Sequence, residues 1–255
     1  MKIDYPQLLP RIEALAHQAG AAILALYAQD LEVKNKADES PVTAADHAAE
    51  AVILHGLAQL TPDIPVISEE AASAGHLPQP GERFWLVDPL DGTREFIKRN
   101  GEFTVNIALV EAGQPVLGVV LAPALERLYA GAAGLGAHLE EAGQRREIRC
   151  RAVPAEGCTV VSSRSHGDDD ALATFLAGRQ VAKSISAGSS LKLCLVASGD
   201  ADLYPRLGRT MEWDIAAGHA VLRAAGGHVR TLSGAELGYG KPGLDNPHFV
   251  ATGLD

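Results

Sequence analysis

The side chains best suited to chemistry in this sequence are carboxylates, and they fall in four places. Asp46 closes the run Pro41-Val42-Thr43-Ala44-Ala45-Asp46. Glu69 and Glu70 follow a short strand-like stretch at 65–68. Asp88-Pro89-Leu90-Asp91-Gly92-Thr93 follows the apolar run Phe84-Trp85-Leu86-Val87, and Trp213-Asp214 precedes a helical pattern. Carboxylates at strand ends can project into a common cleft, where they repel one another and raise each other's pKa unless a cation neutralises them. An all-oxygen ligand set that leaves room for water suits Mg²⁺, which binds carboxylates together with substrate phosphate.

Each cluster also has a plainer reading. Thr43 and Asp46 are three residues apart and could form a helix-capping box. Glu69-Glu70 could be a solvated acidic pair, and Asp214 a helix N-cap. Asp, Pro and Gly are turn residues, so the Asp88 segment could be a surface turn.

The bulk numbers narrow the class. The chain has 255 residues, 47% hydrophobic, enough for one large domain or two modest ones around a cleft. With 32 acidic and 22 basic residues the net charge is −10, which argues against nucleic acid or an anionic membrane as partner. An anionic small molecule stays admissible if metal ions supply local positive charge. The three cysteines, Cys150, Cys158 and Cys194, suit a reducing compartment, and no Cys/His spacing resembles a zinc site. Residues 1–10 carry no apolar signal core, and no stretch of roughly 18 apolar residues would span a bilayer. A cytoplasmic protein is expected, with peripheral inner-membrane association and the choice between monomer and dimer left open.

The elements that must position these acids follow from periodicity. Residues 6–29 and 43–60 read as amphipathic helices, with Ile12, Leu15, Ala19 and Ile23 on the buried side of the first. Strands are expected at 65–68, 84–87, 105–111, 116–122, 128–132 and 137–140, with a Pro/Gly-rich loop at 75–81. From about residue 150 strands (159–162, 182–185, 201–204, 228–231) alternate with helices (169–176, 191–198, 215–225). An α+β half at 1–150 and an α/β half at 151–255 are therefore expected, the first holding most of the acids and the second Asp214.

The ordered set Asp46, Glu69-Glu70, Asp88-Pro89-Leu90-Asp91-Gly92-Thr93, Trp213-Asp214 and Gly226-Gly227 resembles the signature of the lithium-sensitive, metal-dependent phosphatases of the inositol monophosphatase superfamily. The resemblance spans most of the chain, and its specificity lies in the ordered combination. It implies an αβαβα layered sandwich and a site with two or three Mg²⁺. It implies metal ligation by Glu69, Asp88, the Leu90 carbonyl, Asp91 and Asp214, with Glu70 a second acid near the metals. Asp46 and Thr93 would orient and deprotonate the attacking water, and Gly92 would sit against the phosphate. The helix beginning near Gly92 would add its dipole.

The superfamily includes inositol monophosphatases, inositol polyphosphate 1-phosphatases and fructose 1,6-bisphosphatases. The stretch from Glu95 to Leu109 looks like the bisphosphate nucleotidase branch, although Lys98 and Arg99 could be a solvated basic pair. In that branch, positions resembling His166, Ser189, Lys192 and Arg206 contact the nucleotide and its non-scissile phosphate. Gly188-Ser189-Ser190-Leu191-Lys192 opens a helix, where free N–H groups favour an anion. Ser189 as a cap, Lys192 as a surface residue and His166 as a turn residue are the plainer alternatives. The expected reaction is release of the 3′-phosphate of adenosine 3′,5′-bisphosphate. A broad inositol monophosphatase-like enzyme is the first rival, and a non-catalytic phospho-ligand sensor the second.

Overall fold

The computed structural model describes residues 3–28, 41–164 and 169–254. Its elements run in chain order as follows. Helices α1 (Tyr5–Tyr27) and α2 (Pro41–Leu60) precede strand β1 (Val66–Ser68) and the short helix α3 (Glu69–Ser73). Strand β2 (Arg83–Asp91) leads into α4 (Thr93–Ile97), then β3 (Thr104–Glu111), β4 (Gln114–Ala122), β5 (Arg127–Ala132), β6 (Gly136–Glu141) and β7 (Gln144–Ile148). The second half continues with β8 (Cys158–Ser163), α5 (Asp169–Leu176), β9 (Val181–Ala187), α6 (Leu191–Ala197) and β10 (Leu203–Arg206). It ends with α7 (Glu212–Ala224), β11 (His228–Thr231) and β12 (Phe249–Thr252).

β1 to β7 form one sheet in sequence order, antiparallel except for the parallel pair β1–β2. The second sheet has the order β11-β12-β10-β8-β9, with parallel pairing of β8 to β9 and to β10. The period-2 alternation of strand side chains decides the layers. On β2, Trp85 and Val87 join the core built with Ile12, Ile23 and Ile53 of α1 and α2. Phe84 and Leu86, on the opposite face, join the core built with Leu193, Val221 and Phe249 of α6, α7 and the second sheet. Cys158, Val160 and Leu203 meet Phe175 and Leu176 of α5 on the far side of that sheet. The stack is therefore helix, sheet, helix, sheet, helix, the αβαβα order expected.

One close approach places the last acidic residue. A Cβ on Gly118 of β4 would lie 2.3 Å from the Ala217 carbonyl, so α7 rests directly on the first sheet. That contact brings the start of α7, and Asp214, to the end of β2.

Some boundaries differ from expectation. β7 and β12 carry little period-2 apolar signal and are missing from the sequence reading. β7 is an edge strand with exposed Gln144 to Glu147, while β12 is short but lies between β10 and β11. Helix α2 begins at Pro41, so Thr43 is inside the helix and is not its N-cap. The strand expected to end near Asp88 runs on to Asp91.

Candidate active site

The site is built around an irregularity in β2. Asp88 pairs with Asn106 of β3, and Asp91 pairs with Thr104, so three steps on β2 match two on β3. This β-bulge takes up one extra residue and tolerates Pro89 within a strand. The Asp88 carboxylate accepts the Leu90 N–H at 3.1 Å, which fixes the bulge. The segment is therefore not the surface turn its composition allows.

Glu69 and Glu70 open α3, whose N-cap is Ser68. Glu50, one helical turn beyond Asp46 on α2, accepts the Ser68 hydroxyl and, at 3.1 Å, the Ala71 N–H. Asp214 is the third residue of α7 rather than its N-cap, and it accepts the Met211 N–H at 2.8 Å. Asp88 and Asp214 are thus each held by a backbone N–H, and Glu50 holds the start of α3.

Glu69, Asp88, Leu90, Asp91, Gly92, Thr93 and Asp214 line a cleft of about 420 Å³. Ser189, Lys192, Tyr204, Arg206 and Arg209 line the same cleft. The size suits a small molecule. Asp46 and Glu70 are not among the lining residues. Asp46 is buried on α2, and Glu70 lies 3.4 Å from His47 Nε2. His166 lies outside the described residues.

The electrostatics of the acidic wall are those of an uncompensated cluster. Burial, then Glu70, Glu69 and Glu50, push Asp46 up to about 8. Burial, then Asp91 and Glu70, push Glu69 up to about 7. Burial and Asp91 push Asp214 up to about 7, against the Met211 N–H. Asp88 is raised by burial, Glu69, Asp91, Asp214 and Asp46. Asp91 is raised by burial, against Lys192 and the Ser190 N–H.

Such a group fits a divalent cation by donor chemistry and charge. Among the described residues no three His, Cys, Asp or Glu side chains converge closely enough to stand as a metal-binding group by themselves. An open-sided, all-carboxylate wall is what Mg²⁺ takes, since it keeps several waters and needs one or two carboxylates plus phosphate. Glu69, Asp88, Asp91, Asp214 and the Leu90 carbonyl are the groups that would hold it.

The same cleft offers cationic donors. Lys192 is buried, and its ammonium donates to the carbonyls of Ala187, at 3.3 Å, and Ser189. Burial lowers its pKa to about 8, opposed by Asp91 and reinforced by Arg206. The plainer reading of Lys192 as a surface residue therefore fails. Arg206 donates to the Arg209 carbonyl at 2.8 Å, while its Nε is buried without a hydrogen-bond partner. The Ser189 hydroxyl is likewise buried and unpartnered, on a residue with φ of 43°. Left-handed backbone on a serine stores strain of the kind found at ligand sites.

Two features differ from the sequence reading. Helix α4 has five residues, so it supplies first-turn N–H groups rather than the dipole of a long helix. A polar network behind Asp91 was not read from the sequence. Ser190 Oγ donates to Asn106 Oδ1 at 2.6 Å and lies 3.4 Å from Asp91 Oδ2, with Thr104 Oγ1 3.2 Å from the same Asn106 oxygen. Its signal is Thr104 and Asn106, polar side chains two residues apart in an otherwise apolar strand.

The profile of the inositol monophosphatase family matches residues 5–251. The chain is 53% identical over 248 residues to a 3′(2′),5′-bisphosphate nucleotidase CysQ of Salmonella typhimurium, covering 96% of this chain and 99% of that protein. It is 52% identical over 234 residues to the protein of the same name from Escherichia coli K12, covering 91% and 94%. A crystal structure of CysQ from Bacteroides thetaiotaomicron, described as a bacterial member of the inositol monophosphatase family, superposes with a TM-score of 0.85 at 37% identity over 98% of each chain. SuhB from Mycobacterium tuberculosis superposes with a TM-score of 0.76 at 28% identity, covering 99% of this chain and 93% of that one.

Proposed function

The chain belongs to the inositol monophosphatase family, and from that premise we propose that it is a Mg²⁺-dependent, Li⁺-sensitive 3′(2′),5′-bisphosphate nucleotidase. Its substrate is adenosine 3′,5′-bisphosphate, with phosphoadenylyl sulfate as a second. Its role is clearance of a by-product of sulfate assimilation and sulfotransfer. The observation that carries the reading is the mixed lining of one cleft. Five carboxylates, Glu69, Asp88, Asp91, Glu95 and Asp214, line it together with Lys192 and Arg206, and the Arg206 Nε and Ser189 Oγ lack partners. A monophosphate needs the metal-binding acids; a second phosphate needs the cations.

Residues 1–150 supply the carboxylate wall apart from Asp214, which comes with the nucleotide contacts from 151–255. Two or three Mg²⁺ would be held by Glu69, Asp88, the Leu90 carbonyl, Asp91 and Asp214. When bound, they would supply charge neutralisation and an acidified water. Thr93 stands exposed at the first position of α4 and accepts a hydrogen bond from the attacking water. Its own hydroxyl hydrogen is directed to Asp46, which in its ionised form is the proton acceptor. Glu70 adds a second carboxylate beside Asp46. Water attacks phosphorus in line, the bond from phosphorus to the 3′-oxygen breaks, and that oxygen leaves as a hydroxyl after taking a proton. Adenosine 5′-phosphate and inorganic phosphate result. Arg206 grips the 5′-phosphate as a guanidinium–phosphate pair. Lys192 adds the ammonium hydrogen that its two carbonyl partners leave over, and Gly92, Ser189 and His166 complete the contacts.

Among the described residues no helix is long and apolar enough to cross a membrane. The deciding experiment is phosphate release with Mg²⁺ from adenosine 3′,5′-bisphosphate, inositol 1-phosphate and fructose 1,6-bisphosphate. The nucleotide should give the highest kcat/KM, and chelator should abolish release. A preference for inositol 1-phosphate would replace the nucleotidase by an inositol monophosphatase.

A further inference from the structure

Glu102 lies in the turn ahead of β3, on the sheet that carries Asp88 and Asp91, yet its carboxylate serves the other half of the molecule. Arg164 Nε donates to Glu102 Oε2 at 2.7 Å and Arg164 Nη2 to Oε1 at 2.8 Å, a bidentate fork. The Gly188 N–H donates to the same Oε2 at 2.8 Å. Arg164 is the first residue beyond β8 and Gly188 the first beyond β9, and Arg164 also donates to the Ser186 carbonyl at 2.7 Å. One carboxylate from the first sheet thus ties down the ends of two adjacent parallel strands of the second.

The steric packing at Gly188 points the same way independently. A Cβ there would lie 2.7 Å from Glu95 Cγ and 2.8 Å from the Glu102 carbonyl oxygen. The backbone after β9 therefore touches α4 and the turn before β3 directly. The residues that follow are Ser189, in its strained backbone conformation, and Ser190, which donates to Asn106 behind Asp91. Lys192 comes next, bonded to the carbonyls on either side of Gly188.

We propose that Glu102 is a positioning residue for substrate selection. Through Arg164 and the Gly188 N–H it fixes the 188–190 loop, and with it Ser189 and Lys192, at the separation from Asp88 and Asp91 that a substrate with two phosphates requires. The assignment rests on the reading of Lys192 and Ser189 given under Proposed function. Glu102 does not line the cleft and touches no reacting atom. A surface ion pair alone would be worth little; the contact that matters is the charge-assisted bond to a backbone N–H of the loop.

The test uses the full chain and two readouts. Glu102→Gln keeps the shape and removes the charge. Amide hydrogen exchange over 187–192 should then quicken by roughly tenfold or more while the amides of β3 and β8 stay protected. KM for adenosine 3′,5′-bisphosphate should rise about tenfold with kcat within about twofold of wild type, the loss of one charge-assisted bond. Gly188→Ala, whose added methyl pushes the loop off Glu95 and Glu102, should give the same pattern. Unchanged exchange at 187–192 would overturn the proposal. So would faster exchange with an unaltered KM, or a lowered Tm with no kinetic change in either variant. A wild-type enzyme that ignores the bisphosphate overturns the nucleotidase reading instead, and the exchange measurement then decides the latch alone.

Discussion

Asp88 and Asp91 are three residues apart on one strand and still face the same cleft. In a regular strand residues three apart point to opposite faces. The bulge between them absorbs one residue, and Asp88 fixes it by accepting the Leu90 N–H. The ionised pair costs folding free energy, since burial and repulsion raise both pKa values. Asp91→Asn should therefore lower turnover by about 10²–10³-fold while leaving Tm in chelator equal to or above that of wild type. Parallel steady-state kinetics and thermal melts in excess chelator check this. Turnover near the wild-type value would remove Asp91 from the metal site.

The same cluster sets a pH dependence. Asp46, Glu69 and Asp214 are raised to about 8, 7 and 7 in the fold. A carboxylate whose folded pKa is raised holds its proton more tightly in the fold than in the unfolded chain. Its stabilising contribution is full below the unfolded value, near pH 4, and is lost as pH climbs through the folded value. The metal-free protein should therefore melt at progressively lower temperature between about pH 5.5 and 8.5. Metal binding needs the ionised acids, so the rise in Tm given by Mg²⁺ should grow over the same range. Melting curves with chelator and with Mg²⁺ at several pH values test this. A Mg²⁺ shift independent of pH would mean that these acids do not hold the ion.

Thr93 is exposed at the mouth of the cleft, so replacing it disturbs no core packing. Thr93→Ala should reduce kcat by about 10²–10⁴-fold, the usual worth of a positioned proton-transfer group, with KM little changed. Full progress curves separate the two parameters. A change confined to KM would make Thr93 a binding residue.

Much of the architecture was legible because it is written in periodicities. The spacing of Ile12, Leu15, Ala19 and Ile23 marks α1, and all four are buried. Helix α5 and strand β11 match the expected 169–176 and 228–231. What failed was what periodicity does not encode. The Asp88–Asp91 segment has turn composition, and only its pairing with Thr104 and Asn106 makes it a bulged strand. Pro41 as the start of α2 was hidden because Thr43 and Asp46 imitate a capping box. The acidic wall was readable in sequence order. Glu50, Glu102 and Ser190, which hold the site in shape, were not, since each is an ordinary polar residue until the fold brings its partner near.

Glu212 illustrates the same point for stability. It is buried two residues before Asp214, and its carboxylate accepts the Gly240 N–H at 2.7 Å, the Lys241 N–H at 2.9 Å and the Lys241 ammonium at 2.6 Å. Lys241 also reaches Asn246, whose amide donates to the Met211 carbonyl at 2.7 Å. The hub anchors the segment that carries Arg209, Thr210 and Asp214 along the cleft. Glu212→Ala leaves two backbone N–H groups without their acceptor and the Lys241 ammonium without its carboxylate, and should cost about 3–5 kcal/mol. Denaturant unfolding of Glu212→Ala, Lys241→Ala and the double variant should show the two losses to be strongly non-additive. Independent, additive losses would show that the pair does not act as one unit.

Substrate choice is the sharpest test, because the carboxylate chemistry is common to every phosphomonoester. Discrimination has to come from groups that grip the rest of the molecule, and Arg206 is the residue placed for it. Arg206 lines the cleft with the acids, its Nη2 donates to the Arg209 carbonyl, and Nε has no partner. A charge-assisted contact there is worth roughly 1.5–3 kcal/mol, or about one to two decades in kcat/KM. Arg206→Ala should lower kcat/KM for adenosine 3′,5′-bisphosphate by that factor and spare a small monophosphate that has no second phosphate to hold. Lys192→Ala should act in the same direction, with a larger loss of stability because Lys192 is buried and Arg206 only partly so. The quantity to measure is the ratio of kcat/KM for the two substrates, since partial unfolding lowers both alike and leaves the ratio intact. A ratio unchanged in both variants would move the non-scissile phosphate away from these two residues and leave the inositol monophosphatase reading in its place.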